Sequence, residues 1–386
     1  MPLAGGFLPP SDFEKERSFP LRVYFCQECS LVQILDVVPR EILFTQYRYL
    51  SSVTETLRKH FLEYAKKLSQ LVPKKLVVEV GCNDGVFLEP LEKFGFKAIG
   101  IEPAVNVADI TRSKGFEVVN DFLNQRIALD IVKKRGKAIA VLGSNVFAHI
   151  DDMDEVLSSV KLILEENGIF SFEVHSLASL IKDLQYDMIY HEHLCYYSLI
   201  AISNLLDRYD FEIFDVENIP MHAGSLRVYA HLKDDHTHKK LKIVDEHLEI
   251  EKKLGLNSLN SLLEFSSKVR NQREKLNQVL RKLKEKHCKI AGYGAPGRGN
   301  TLLNYCGVGT NILAYIVDAS PSRHNLFTPG THIPIFHPNV FRQDPPDYAL
   351  MLAWSYKDEI LCKEKWFVDN GGKWIIPLPE PKIYPY

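Results

Sequence analysis

Apolar positions between residues 53 and 72 recur at helical spacing, with Leu57, Phe61, Tyr64 and Leu68 on one face, and predict an amphipathic helix. Beyond it the period changes. LVVEV (76–80) is a continuous apolar run of buried-strand type, followed by the glycine-bearing turn GCNDG and the helical segment VFLEPLEKFG. KAIGIEP (97–103), EVV (117–119), KAIAVLGSNVFAHI (137–150) and IFSFEVH (169–175) supply further strands. VADITRSKG and DMDEVLSSVKLILEENG read as helices between them, the latter capped by Gly168. Strands alternating with helices at this spacing predict a doubly wound parallel sheet.

Residues 236–287 are highly charged and helical in pattern, which predicts one or two long amphipathic helices forming a solvated bridge. A second α/β pattern follows. KIAGYGAPGRGNTLLNYCGV (289–308) reads as strand, glycine-rich turn and helix, a second strand ends at Asp318, and DYALMLAWSYKDEI (347–360) adds another strand and helix. The expected organisation is an N-terminal ribbon-like segment (1–52), an α/β domain (53–235), a helical linker (236–287) and a C-terminal Rossmann-like α/β domain (288–386).

Composition narrows the partners. The 386 residues carry 47 Lys+Arg against 49 Asp+Glu, a formal charge of −2, which argues against a polymer-binding field of positive charge and hence against nucleic acid. No run approaches the length of apolar residues that a bilayer crossing requires, and the first twenty residues have no basic region followed by an apolar one. A cytoplasmic protein without a membrane partner is expected; its oligomeric state is left open. Seven cysteines, an odd number, read as reduced thiols. Cys26 and Cys29 form CQEC between strand-like flanks, half of a zinc ribbon. With no second pair to complete four ligands, they read as two cysteines of a small β hairpin, and bound zinc is doubtful.

Ligands of a doubly wound sheet bind at the carboxyl ends of its strands. Gly81 permits a tight turn after the first strand, Gly85 permits close backbone approach, and Asn83 is held between them. Glu102 ends the second strand, where a carboxylate accepts hydrogen bonds from ribose hydroxyls. The turn lacks the GxGxxG spacing of a dinucleotide site and suits a single nucleoside with an amino-acid tail, S-adenosylmethionine. The densest cluster of titratable groups is Tyr190, His191, Glu192, His193 and Tyr197. The two histidines of HEH lack the i, i+4 helical spacing of a catalytic zinc site, which disfavours a metal. A histidine held by a carboxylate and assisted by a tyrosine suits proton abstraction next to a carbonyl. In the C-terminal unit, the Gly292–Gly294–Gly297–Gly299 loop carries Arg298 at the mouth of a helix, a setting suited to a phosphate-bearing ligand.

LRVYFCQECSLVQ, VVEVGCNDGVFL, GSNVFAHIDD, FEVHSLASLIKDLQYDMIYHEHLCYYSL, HAGSLRVY and AGYGAPGRGNTLLNYC, in this order across the chain, resemble the nucleotide-sugar C-methyltransferases, enzymes that use S-adenosylmethionine to methylate carbon atoms of deoxysugars. The resemblance implies a class I methyltransferase domain and a C-terminal Rossmann-like domain that holds the nucleotide-sugar. Family members place a first cysteine pair upstream of the segment matching PLAGGFL, so the resemblance does not complete the metal site here. A base removes the proton at C3 of a 4-keto sugar and the enolate accepts the methyl group. By similarity His193 is the first choice of base and His191 the second, with Tyr190 and Glu192 orienting it or stabilising the enolate. Tyr47 and Tyr49 match the aromatic pair that closes over the site. Glu79, Gly81, Asn83, Gly85, Glu102, Pro103, Asn145 and His149 are the expected cofactor contacts. His222, Tyr229, Tyr293, Gly294, Arg298, Gly299 and Asn300 are the expected contacts of the small-molecule nucleotide-sugar. An O- or N-methyltransferase, a keto-sugar epimerase and a non-catalytic binding protein are the alternatives.

Overall fold

The computed structural model of the chain describes residues 1–44, 50–53 and 55–385. The helix expected at 53 to 72 spans Glu55–Leu71, and Leu57, Phe61, Tyr64 and Leu68 are all buried along it. Tyr47 and Tyr49 lie outside the described residues.

Two short strands, β1 (Val23–Phe25) and β2 (Val32–Ile34), form the N-terminal ribbon. The central sheet contains β3 (Leu76–Val80), β4 (Lys97–Ile101), β5 (Glu117–Val119), β6 (Ala138–Ser144) and β7 (Leu164–His175). After β8 (Cys195–Tyr196), which adds a third strand to the ribbon, come β9 (Phe211–Ile219) and β10 (Ser225–Leu232). The order is β5-β4-β3-β6-β7-β10-β9. The first five strands are parallel, and β3 is buried along its whole length, as the continuous run LVVEV requires.

The far edge departs from the expected all-parallel sheet. β10 runs antiparallel to both β7 and β9. The connection over 220–224 is too short for the crossover that a parallel neighbour needs, so the chain must double back. Gly168 also differs from expectation. The helix stops at Ile163, and Gly168 lies inside β7, where the register jumps from Ala138↔Leu164 to Ala140↔Ile169. A Cβ there would stand 3.0 Å from the Glu165 carbonyl oxygen and 3.2 Å from that of Ala138, so glycine answers a close backbone approach at the bulge.

The charged stretch 236–287 is less solvated than its composition suggests. Helix Lys242–Lys253 lays Val244 on the core of the central sheet. The long helix Leu259–Glu285 buries Val269, Leu276, Leu280 and Leu283 in the C-terminal core. Each helix belongs to one core, because a few apolar positions at helical spacing suffice to seat a helix whose other faces are charged.

The C-terminal sheet holds β11 (Ile290–Tyr293), β12 (Ile316–Val317), β13 (Ile335–Phe336), β14 (Tyr348–Met351), β15 (Lys373–Ile376) and β16 (Lys382–Tyr384). Its order, β13-β12-β11-β14-β15-β16, is that of a dinucleotide-type fold, with β16 antiparallel at the edge. Among the described residues, no helix is long and apolar enough to cross a membrane.

Candidate active site

The turn after β3 is shaped by glycine. Gly81 has φ +71°, and a Cβ on it would meet Val146 Cγ2 at 2.8 Å; Gly85 has φ +77°, and a Cβ there would meet Thr111 Cγ2 at 2.8 Å. Asn83 also takes a left-handed conformation, φ +49°. Its amide donates to Glu102 Oε2 at 3.0 Å, and the Ala104 amide donates to Oε1 at 2.9 Å. The Asn120 carboxamide in turn donates to the carbonyls of Glu102 and Pro103. Burial raises the Glu102 carboxyl above its ordinary range while these amides oppose the shift.

Deeper in the same crevice, Glu79 is buried with Oε2 lacking a hydrogen-bond partner among the described residues, and so is Ser144 Oγ at the end of the adjacent β6. Burial, then the charges of Glu102 and Asp84, push the Glu79 carboxyl well up. Asn145 follows at φ +56°, its amide bound to the Glu173 carbonyl.

A second group of side chains converges from the YHEH loop. His193 Nδ1 donates to the Met188 carbonyl at 3.0 Å, which fixes the tautomer and leaves Nε2 to accept the Tyr190 hydroxyl at 2.9 Å. The His149 ring stands edge-on to the His193 ring at 5.0 Å. Burial is the main reason that both stay neutral: His149 is lowered to about 4, and His193 falls well below its usual value, helped by the charges of His149, His175 and His222. Burial pushes the Tyr190 hydroxyl well up, so it is a donor and not a phenolate. Glu192 moves the opposite way from the histidines in usefulness: burial raises its carboxyl to about 7, where it exchanges protons near neutrality.

His191 is not part of this group. Its Nε2 donates to the Pro20 carbonyl at 3.0 Å, so the ring ties the loop to the N-terminal segment. His222 sits in a turn at φ +54°, and burial lowers its pKa. Tyr229 is fully buried, its hydroxyl bound to Glu217 at 3.1 Å and Lys67 Nζ 4.3 Å above its ring. It belongs to an ionic network that no local spacing announces: Arg227 joins Glu173 and Glu217, and Glu173 also holds His60.

The C-terminal loop uses its polar groups internally. Arg298 Nε and Nη2 clamp Asp187 at 2.7 and 2.9 Å, the Trp354 indole N–H donates to the same carboxylate, and the guanidinium lies 4.5 Å over the Trp354 ring. Arg298 is therefore a paired cation and not the open phosphate ligand that its position in the loop predicts. Asn300 Nδ2 donates to the Ala4 carbonyl at 2.6 Å, and Tyr293 donates to Glu364. Gly294, φ +80°, leaves no room for a Cβ against Ala353 (2.7 Å), and one on Gly299 would stand 3.1 Å from Leu352 Cβ. A residue missing from the expected set is Asp318 at the end of β12, which accepts the Ala295 amide at 2.6 Å. An acid about twenty residues after a Gly-rich turn was its signal.

In the ribbon, Cys26 and Cys29 are free thiols, and among the described residues no group of three or more His, Cys, Asp or Glu is placed to hold a metal ion.

A parallel sheet with one reversed strand inserted before its last, a glycine turn after β3 and a buried acid at the end of β4 define a class I methyltransferase dependent on S-adenosylmethionine. The residues fit that cofactor: a turn bounded by Gly81 and Gly85 whose backbone a ligand can approach, a carboxylate on Glu102 for ribose, and orphaned polar atoms on Glu79 and Ser144 for the amino-acid end. Three family models match the chain: a methyltransferase domain over 49–216, a C-methyltransferase C-terminal domain over 220–379 and a domain described as "putative zinc binding" over 1–44. The C-methyltransferase NovU of Streptomyces niveus is 33% identical over 99% of this chain and 92% of its own length. The chain belongs to this family of C-methyltransferases. The ubiquinone biosynthesis O-methyltransferase of Rhodopseudomonas palustris is 26% identical over 31% of this chain and 47% of that protein. Among solved structures, the glycopeptide N-methyltransferase MtfA, complexed with S-adenosyl-L-methionine, aligns at TM-score 0.36 and 14% identity over 44% of this chain and 93% of its own. A methyltransferase from Archaeoglobus fulgidus aligns at TM-score 0.37 and 16% identity, over 45% and 93%.

Proposed function

We propose that this C-methyltransferase acts on a nucleotide-activated 4-keto-deoxysugar, methylating C3 through an enolate, to make a branched sugar. S-adenosylmethionine supplies an electrophilic methyl group. The chain's residues supply proton transfer and alignment. The observation that carries the reading is the Glu192 carboxyl, half-buried and raised to about 7, whose charge acts on the Tyr190 hydroxyl that His193 holds.

In this reading Glu192 accepts the C3 proton. A carboxylate whose conjugate acid titrates near 7 is a stronger base than an imidazole held well below 6.5, so Glu192 displaces His193, the first choice from sequence, in that role. His193 keeps the Tyr190 hydroxyl aligned, and that hydroxyl donates to the oxygen where enolate charge develops. Gly294 and Asp318 of the second Rossmann-type unit support a nucleotide as the handle of the substrate. Domain limits of 53–235 for the methyltransferase unit, 236–287 for the linker and 288–386 for the nucleotide-sugar unit belong to the same proposal.

The test is exchange of the C3 hydrogen of a nucleoside-diphosphate 4-keto-6-deoxysugar in deuterated water. Wild-type protein should exchange it, and Glu192→Gln should not. Equal exchange by both proteins would remove Glu192 from the role.

A further inference from the structure

The first twenty residues form a strap with two sets of attachments. It closes on itself where the Phe19 amide donates to the Met1 carbonyl at 2.9 Å and Pro2 pairs with Ser18. On the C-terminal unit, Asn300 holds the Ala4 carbonyl, Phe7 is buried in the core, and Leu8 exchanges backbone hydrogen bonds with Phe327. Glu16 accepts from the Gly330 amide and His332 Nε2, each at 2.8 Å, while Phe13 stacks on the His332 ring at 3.8 Å. On the YHEH loop, His191 holds the Pro20 carbonyl, and Gly5 lies against Glu192: a Cβ on Gly5 would stand 3.3 Å from Oε1.

We propose that this strap positions the Glu192 carboxyl, with Gly5 as the wall against which it stands, so that the seating of the Gly297–Cys306 helix, through Asn300 and Ala4, fixes where the carboxyl lies. Gly5 is exposed and its backbone is of ordinary conformation, so neither burial nor strain explains a glycine there. What its missing side chain provides is room beside Oε1. The strap cannot recoil, because the residue before Gly5 is hydrogen-bonded to Asn300 and Phe7 is locked in a core. Added volume at position 5 must therefore move the carboxyl or take away its water. Glu192 is a proton acceptor only under the function proposed above, and the inference rests on that reading for its effect on turnover.

The groups acting on the carboxyl's surroundings are Tyr190 and His193 of its own loop, His149 after β6, whose ring hydrogen-bonds the Glu192 backbone, and Arg298 of the C-terminal unit, paired with Asp187. None of these is altered by a substitution at position 5. Protein labelled with carboxyl-13C glutamate, with the Glu192 resonance identified by its loss in Glu192→Gln, gives the titration of that group without substrate. In Gly5→Ala the midpoint should rise from about 7 by roughly half a pH unit, as a methyl group desolvates the carboxylate, and further in Gly5→Val, with thermal unfolding unchanged in Gly5→Ala. Turnover should fall with kcat carrying the loss and its acid limb moving in the same direction. Identical titrations in wild type and Gly5→Ala would overturn the strap's role even if wild type turns over a keto-sugar. Absence of turnover in the wild type with a shifted Gly5→Ala titration would overturn the proposed substrate instead. Gly5→Ala alone decides the matter if Gly5→Val does not fold.

Discussion

Arg298 and Asp187 meet through one guanidinium edge, Nε and Nη2, and both carboxylate oxygens, with the arginine side chain 11% exposed and the aspartate fully buried. The pair joins the turn before the YHEH loop to the first helix of the C-terminal unit. Removing one partner leaves a buried charge without compensation, which costs about 3–5 kcal/mol. Asp187→Asn and Arg298→Met should each lose stability on that scale in denaturant unfolding. The double variant Asp187→Asn/Arg298→Met should lose less than the sum of its parts. Additive losses would mean that the two charges do not depend on each other.

Glu192 gives a pH signature with two opposite signs. Its folded-state value of about 7 lies above the ordinary 4.5, so between those values the folded protein binds more protons than the unfolded one, and stability falls as pH rises. Glu192→Gln should remove this loss and be more stable than wild type at pH 8 by about 1–3 kcal/mol in thermal or denaturant unfolding. Its kcat should drop by about 10²–10⁴-fold. In the wild type, kcat should rise with pH through about 7 as the carboxyl ionises.

Tyr190 is a donor whose direction His193 fixes. Tyr190→Phe deletes the proton offered to the enolate oxygen and should lower kcat by about 10²–10³-fold with little change in KM. His193→Asn should be milder than Tyr190→Phe, because the hydroxyl survives with a poorer acceptor. Steady-state kinetics on the pair, with C3 exchange as a second readout, distinguish donor loss from misorientation. A His193→Asn variant that abolished exchange while Tyr190→Phe retained it would return the base to His193.

Glu102 accepts two backbone amides, one on each carboxylate oxygen, from Asn83 and Ala104, and each oxygen can accept a further hydrogen bond. Replacing it with Gln turns one acceptor into a donor facing an amide and removes a charged partner worth about 1.5–3 kcal/mol. S-adenosylmethionine should bind Glu102→Gln roughly 10–100-fold more weakly by calorimetry. Unchanged affinity would show that the carboxylate serves only to hold the turn.

Local periodicity made much of the fold legible. The helix through Leu57, Phe61, Tyr64 and Leu68 and the buried run LVVEV each carry their period in adjacent residues, and the Gly81 and Gly294 turns are readable because only glycine tolerates their conformation and crowding. What escaped is long-range. The reversal of β10 follows from a short connection whose neighbours in the sheet are set elsewhere in the chain. The pairing of Arg298 with Asp187, more than a hundred residues away, converts an apparent phosphate ligand into a structural cation, and nothing in GYGAPGRGN announces its partner. His191 and His193, two positions apart, were equal as letters. Their different hydrogen bonds separate them: one ring holds Pro20, the other holds Tyr190.

The proposed reaction is carbon methylation of a nucleotide-linked keto-sugar. Its most direct test is incubation with methyl-13C-labelled S-adenosylmethionine and a nucleoside-diphosphate 4-keto-6-deoxysugar, followed by NMR of the product. A 13C methyl group bonded to C3 of the sugar should form with wild type and not with Glu192→Gln. A label found on oxygen or nitrogen, or no label transferred while the protein binds both ligands, would contradict it.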